Sequence, residues 1–179
     1  MKDFTKIKSP TESNMVVSFC DLTNFLAVSS KKSNQELFAF LSEFYEFIGS
    51  IIENAGGYVI KFMGDAVLIV FAEEIASEGI QALKKLKEKT DKWLKEKGIN
   101  SRLIVKVHFG PVICGYIGTK KDKKFDVFGE TVNTTAILTS HGFSMTPQAF
   151  RCLDKEARTQ YKKHTPPVRY IALEEHHKN

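Results

Sequence analysis

Apolar residues recur along the chain with two different periods, and their alternation sets out the order of elements. Met15–Cys20 is a short, nearly continuous apolar run that ends at Asp21, the pattern of a buried strand. Ser33-Asn34 then offers N-cap chemistry for a helix. Leu37, Phe38, Leu41, Phe44, Tyr45, Ile48, Ile51 and Ile52 follow at spacings that put them on one core-facing stripe, and Gly56-Gly57 stops the helix. Tyr58–Phe62 and Ala66–Phe71, joined by Met63-Gly64-Asp65, have the spacing of a tight β-hairpin. A second amphipathic helix carries Ile80, Leu83, Leu86, Trp93 and Leu94 on one side and lysines on the other. Leu103–Phe109 and Val112–Ile117 read as strands broken at Gly110-Pro111, with Lys120–Lys124 a charged loop tip. Gly129 to Thr139 reads as a loop leading into a helix, Pro147–Lys155 as another helix, and Val168–Leu173 as a closing strand. The pattern predicts a loose leader over 1–14, one domain over 15–175 and a polar tail over 176–179. The order suits an α+β fold, a ferredoxin-like antiparallel sheet with helices on one face.

A chain of 179 residues is long enough for one core and too short for two ordinary domains. No apolar run reaches the roughly 18–20 residues that span a bilayer, and the lysine-bearing amino terminus lacks the apolar stretch of a secretory signal. The expectation is a cytoplasmic chain with no membrane segment. Three cysteines, Cys20, Cys114 and Cys152, form no CxxC pair, which argues against both a disulfide framework and a zinc site. A net charge of +5 attracts polyanions. The lysines fall in the second helix and the 120–124 loop without interleaved aromatic residues, so nucleic acid is not the expected partner. A small phosphorylated ligand fits the same charge.

Two carboxylates stand out. Asp21 ends one apolar run and Asp65 lies in the hairpin turn, where a charge is costly unless it is turned outward or paired with a cation. At the ends of neighbouring strands their oxygens would repel, and a divalent ion removes the repulsion. Mg²⁺ and Mn²⁺ favour such hard oxygen donors and commonly add substrate phosphates as ligands. The pairing points to metal-assisted phosphoryl chemistry, a class that includes polymerases and diguanylate cyclases.

The motifs narrow the class. Phe19-Cys20-Asp21-Leu22-Thr23-Asn24-Phe25 is similar to the first metal motif of class III adenylyl and guanylyl cyclases, and Lys61-Phe62-Met63-Gly64-Asp65 to their second. His108-Phe109-Gly110-Pro111-Val112, with Gly115 and Gly118, resembles their next strand–turn–strand. Phe125-Asp126-Val127-Phe128-Gly129-Glu130-Thr131-Val132-Asn133 resembles their most diagnostic stretch. No GGDEF-like run follows the hairpin, which sets the chain apart from diguanylate cyclases. The resemblance implies that Asp21 and Asp65 hold two Mg²⁺ or Mn²⁺ per site, and that the ribose 3′-hydroxyl attacks the α-phosphorus and expels pyrophosphate. It implies that Leu22, Thr23, Asn24 and Phe25 cradle phosphates through backbone N–H groups near a helix start, and that Asn133 positions the ribose. Lys61 and Asp126 stand where the family reads the base. A Lys donating to adenine N1 and an Asp accepting from the exocyclic amine select ATP, since a mismatched buried polar group costs about 1–3 kcal/mol. In the family the metal residues and the base and ribose residues come from different chains. One chain carrying both sets implies a head-to-tail homodimer.

Three positions depart from the family pattern. Ile137 replaces the arginine usual four residues after the Asn, a donor worth roughly 3–4 kcal/mol to the transition state. Arg102, Arg151, His141 or a lysine of 120–124 are candidate substitutes. Asn24 replaces a glycine, although Asn tolerates left-handed backbone angles. The tail that supplies the family's phosphate-binding lysine is shortened, leaving Lys162 or Lys163 for that role. An active adenylate cyclase and a degenerate domain that binds nucleotide or a partner without turnover are therefore the competing readings.

Overall fold

The computed structural model describes residues 7 and 9–175; residues 1–6 and 8, and the tail over 176–179, lie outside the described residues. The first strand, β1 (Thr11–Leu22), begins inside the stretch expected to be a loose leader, because Thr11–Asn14 pair with the strand that carries Pro111–Cys114. A short helix, α1 (Phe25–Ser29), precedes the long α2 (Asn34–Asn54). The α2 start is a capping box: Ser33 Oγ accepts from the Glu36 N–H at 3.3 Å, and Glu36 accepts from the Ser33 N–H at 2.8 Å. Its buried stripe is Phe40, Phe44, Ile48 and Ile52. Phe38, expected on that stripe, is 75% exposed, because the i, i+4 series runs through Phe40 instead.

The hairpin β2 (Tyr58–Met63) and β3 (Ala66–Ala72) forms as expected. A single 3₁₀ turn leads into α3 (Ala76–Glu96), and β4 (Leu103–Gly118) follows. On α3 the lysines do not all face outward. Lys87 is buried and ion-paired to Asp91 at 2.7 Å and Glu175 at 3.3 Å. These four strands lie in the spatial order β2-β3-β1-β4, all antiparallel, which is the βαββαβ ferredoxin-like plan.

β4 runs unbroken through Gly110-Pro111. Thr131 Oγ1 donates to the Pro111 carbonyl at 2.7 Å from the side away from β1. A residue's N and C=O point the same way in an antiparallel strand, so the missing Pro N–H faces that side and spares the β1 ladder.

Beyond the core, β5 (Lys123–Phe128) pairs antiparallel with β4 and leads into α4 (Glu130–Ile137). Then come β6 (Phe143–Met145), α5 (Pro147–Cys152), α6 (Lys155–Arg158), β7 (Tyr161–His164) and β8 (Arg169–Ala172). The helix expected over 147–155 divides because Asp154 accepts the Ala157 N–H at 2.7 Å and caps a new start. The β4–β6 pair is parallel, so the complete eight-stranded sheet is mixed, antiparallel only in its ferredoxin-like part and outer strands.

α2 and α3 cover one face, over Val16, Cys20, Val67, Ile69, Val105 and Val107. The other face buries Met15, Val17, Leu68, Val70, Val112 and Cys114 with Phe125 and Val127 of β5. Tyr58 of β2 meets the Phe125 ring edge-on at 5.6 Å. Since β3 and β1 separate β2 from β4, the β4–β5 hairpin must curl over this second face.

Candidate active site

β1 and β3 pair with Cys20 opposite Val67, which brings Asp21 beside the turn that holds Asp65. That turn is built by Gly64, whose φ of 67° suits glycine. It is tethered to α2 by Tyr45, which donates to the Gly64 carbonyl at 2.8 Å and stacks on Phe62 at 3.9 Å. Both carboxyls are half-buried. Burial pushes Asp21 above the usual carboxylate range, and the nearby Lys106 ammonium pulls it back. Burial also raises Asp65; its own N–H and that of Leu22 oppose the rise, while the Asp21 charge adds to it. Two desolvated, mutually repelling oxygen donors suit a hard divalent cation. Among the described residues no cluster of three or more His, Cys, Asp or Glu forms a metal cage. Two half-buried carboxylates suit an ion that takes its further ligands from phosphates and water, as Mg²⁺ does.

The segment 22–25 divides in two. The Leu22 N–H serves Asp65, and the Thr23 N–H donates to the Arg102 carbonyl at 2.9 Å. The Thr23 hydroxyl accepts the Arg102 N–H at 2.9 Å, so Thr23 is clamped to the start of β4. Asn24 takes the left-handed conformation, φ 56°, at the N-cap position of α1, with no side-chain capping bond. The first N–H groups of α1, beginning with Phe25, have no carbonyl within the helix to serve. The backbone N–H groups of Leu22 and Thr23 are thus already engaged within the protein.

Lys61 and Asp126 meet. The Lys61 ammonium donates to Asp126 Oδ2 at 2.5 Å and lies 5.9 Å from the Phe128 ring centroid. Asp126 Oδ1 also accepts the Val127 N–H at 2.8 Å. A β-bulge produces this aim. The β2–β3 register shifts between Val59, opposite Ile69 on the helix-covered face, and Lys61, opposite Leu68 on the other face. Without the extra residue, strict alternation would turn Lys61 toward the helices. Lys61, Leu68 and Phe19 form one row across three strands, and Asp21 lies two residues further along the same face.

Asn133 stands on α4, which Thr131 fastens to Pro111, while Thr135 donates back to the Thr131 carbonyl one turn earlier in the same helix at 2.7 Å. A Cβ at Gly110 would come within 2.7 Å of Thr131 Oγ1, so only glycine lets α4 approach β4 this closely. Thr131 and Thr135 are buried, while Asn133 and Ile137 share the outward face at i, i+4. Ile137 is 82% exposed. The structure thus brings together Asp21 with Asp65, and Lys61 with Asp126; Asn133 points into solvent from a separate element. Lys162, on the far edge strand β7, donates to the Leu173 carbonyl at 2.9 Å. Lys106 was not singled out by the sequence, though it and His108 are the polar positions in the strand Leu103–Phe109.

A ferredoxin-like sheet with paired carboxylates at one hairpin and a Lys–Asp pair on the same face is the framework of a class III nucleotidyl cyclase domain. The family model for the adenylate and guanylate cyclase catalytic domain matches residues 7–169, and this chain belongs to that family. An adenylate cyclase of Anabaena cylindrica is 25% identical over 130 residues, 68% of this chain and 26% of that protein. The chain spans about a quarter or less of the curated relatives it matches. A bacterial light-regulated adenylyl cyclase superposes with a TM-score of 0.80 at 19% identity, over 96% of this chain and 55% of that one. The catalytic core of a rhodopsin-guanylyl cyclase with converted specificity, solved in complex with ATPαS, superposes with a TM-score of 0.77 at 21% identity, over 93% and 99%. Adenylyl and guanylyl cyclases thus both stand among its relatives in fold. Among the described residues no helix is long and apolar enough to cross a membrane.

Proposed function

We propose that this domain converts ATP to 3′,5′-cyclic AMP and pyrophosphate as a head-to-tail homodimer with two composite sites, working in the cytoplasm. The Lys61–Asp126 pair carries the reading. In the free chain each group satisfies the other; an adenine edge replaces that bond with two, Lys61 donating to N1 and Asp126 accepting from the exocyclic amine. Guanine presents a donor at N1 and an acceptor at C6, leaving both groups mismatched.

Asp21 and Asp65 hold the ions of one site, with phosphate contacts from Asn24 and Phe25. Two Mg²⁺ or Mn²⁺ bound there supply neutralisation of the triphosphate and a lowered pKa for the attacking hydroxyl. The O3′–Pα bond forms as the Pα–O bond to the β-phosphate breaks, the hydroxyl proton leaves to solvent, and pyrophosphate departs. Asn133 orients the ribose from the partner chain, in keeping with its outward place on α4. A second reading, a domain that binds nucleotide without turnover, draws on Ile137, which offers no donor where the family has an arginine. Lys61→Glu with Asp126→Cys tests the base assignment: the ratio of ATP to GTP use should fall by about tenfold or more, and an unchanged ratio overturns it.

A further inference from the structure

The cyclase reading leaves the triphosphate short of a cation. Position 137 offers none, and Lys162, the tail lysine expected to help, stands on β7, three strands beyond β4 of the same chain. Lys106 is differently placed. The β1–β4 register sets Phe19 opposite Lys106 and Asp21 opposite Ile104, so Lys106 lies diagonal to Asp21 on the same face, within reach of a long side chain. Its Nζ donates to the Ala136 carbonyl at 3.1 Å, in the last turn of α4, where unpaired carbonyls favour a cation. That bond uses one of three ammonium donors. Among the described residues none of the ion pairs includes Lys106. The neighbouring polar residue of the strand, His108, is turned elsewhere, with Nδ1 at 2.7 Å from Thr146 Oγ1.

We infer that Lys106 binds the β- and γ-phosphates of the nucleotide held at Asp21 and Asp65 of its own chain. An ammonium held by a helix carboxyl end beside the Asp21 carboxylate can swing its remaining donors onto phosphate oxygens without leaving the Ala136 carbonyl. The bond it makes strengthens as charge accumulates on the departing pyrophosphate. This inference rests on the cyclase reading of the site.

The experiment is calorimetric titration of pyrophosphate, with Mn²⁺ present, into the full chain and into Lys106→Met, Lys106→Gln and Lys106→Arg, each with a melting curve. Gln can still donate to Ala136 but carries no charge; Arg keeps the charge. Weakening of about tenfold in the Met and Gln variants, with Arg within about threefold of wild type, is the expected pattern. Affinity restored by Gln, or unchanged in Gln and Met, overturns the inference and leaves Lys106 as an anchor for α4. If Met fails to fold, the Gln and Arg variants decide. A wild-type chain that binds neither pyrophosphate nor ATP with Mn²⁺ overturns the cyclase reading and the inference together. Wild-type binding and turnover with an unimpaired Gln variant removes the inference alone.

Discussion

Replacing Ile137 with arginine puts a guanidinium where the family's transition-state donor stands. The site is 82% exposed, so the change buries no charge and opens no cavity. Exposed substitutions of this kind shift stability by no more than about 0.5 kcal/mol, or about 1–2 °C in Tm for a chain of this size. A cation in the last turn of α4 also meets the carbonyl end of the helix favourably, though Lys106 at the Ala136 carbonyl offsets part of that by like-charge repulsion. A well-placed donor of this type contributes roughly 3–4 kcal/mol. A long side chain without a surrounding shell to hold it should deliver about 1.4 kcal/mol, a tenfold change in rate. Because the charge it meets grows only as the α-phosphorus is attacked, kcat should rise about tenfold while KM stays within about threefold. Steady-state rates with MnATP, beside melting curves of the same preparation, read both effects. A variant of unchanged Tm and unchanged kcat, made from a wild type that turns over, shows that position 137 does not meet the transition-state charge. A Tm loss of several degrees refutes its exposed placement.

Three further outcomes follow from the site. Asp21 and Asp65 are both raised above 3.8 in the folded chain, so they favour folding when protonated and oppose it as pH climbs through the raised values. Asp21→Asn should therefore raise the metal-free Tm at pH 7, with the gain fading toward pH 3.8, and should abolish turnover; a variant that melts lower than wild type at pH 7 contradicts the burial penalty on the Asp21 charge. Burial pulls His108 below 6.5, with Glu130 opposing. Its contribution is complete above that value and lost as pH falls below it, so His108→Gln should flatten the acid-side loss of Tm; an unchanged profile assigns that loss to other groups. Mixing inactive Asp65→Ala with inactive Asn133→Ala should restore part of the activity through heterodimers with one intact site; no recovery after demonstrated subunit exchange counts against composite sites.

What the sequence made legible follows from which signals are local. Long periodic stretches predicted α2, α3 and the β2–β3 hairpin, and the Ser33 cap was visible as a residue type in the right place. The short or polar strands escaped. Lys123-Lys124 hid the start of β5, β6 has three residues, and Tyr161-Lys162-Lys163-His164 is an edge strand whose lysines suit exposure rather than an apolar pattern. Pro111 suggested a break because whether its missing N–H matters depends on what lies beside the strand, a tertiary fact. In the site, the residue types and their motifs were readable, including the left-handed tolerance of Asn24 that the structure uses. The bulge that aims Lys61 was not, because one extra residue in a strand leaves the composition unchanged while reversing which face a side chain takes. Lys106 needed the β1–β4 register before its nearness to Asp21 had meaning.

The proposed function requires that one chain type carry every part needed to cyclise ATP. The direct measurement is incubation of the purified protein with Mn²⁺ and either ATP or GTP, followed by chromatographic identification of the products. Cyclic AMP with an equal amount of pyrophosphate, and much less cyclic GMP, is the expected result. Predominance of cyclic GMP contradicts the base assignment to Lys61 and Asp126, and the absence of any cyclic nucleotide from a folded protein that binds ATP contradicts catalysis itself.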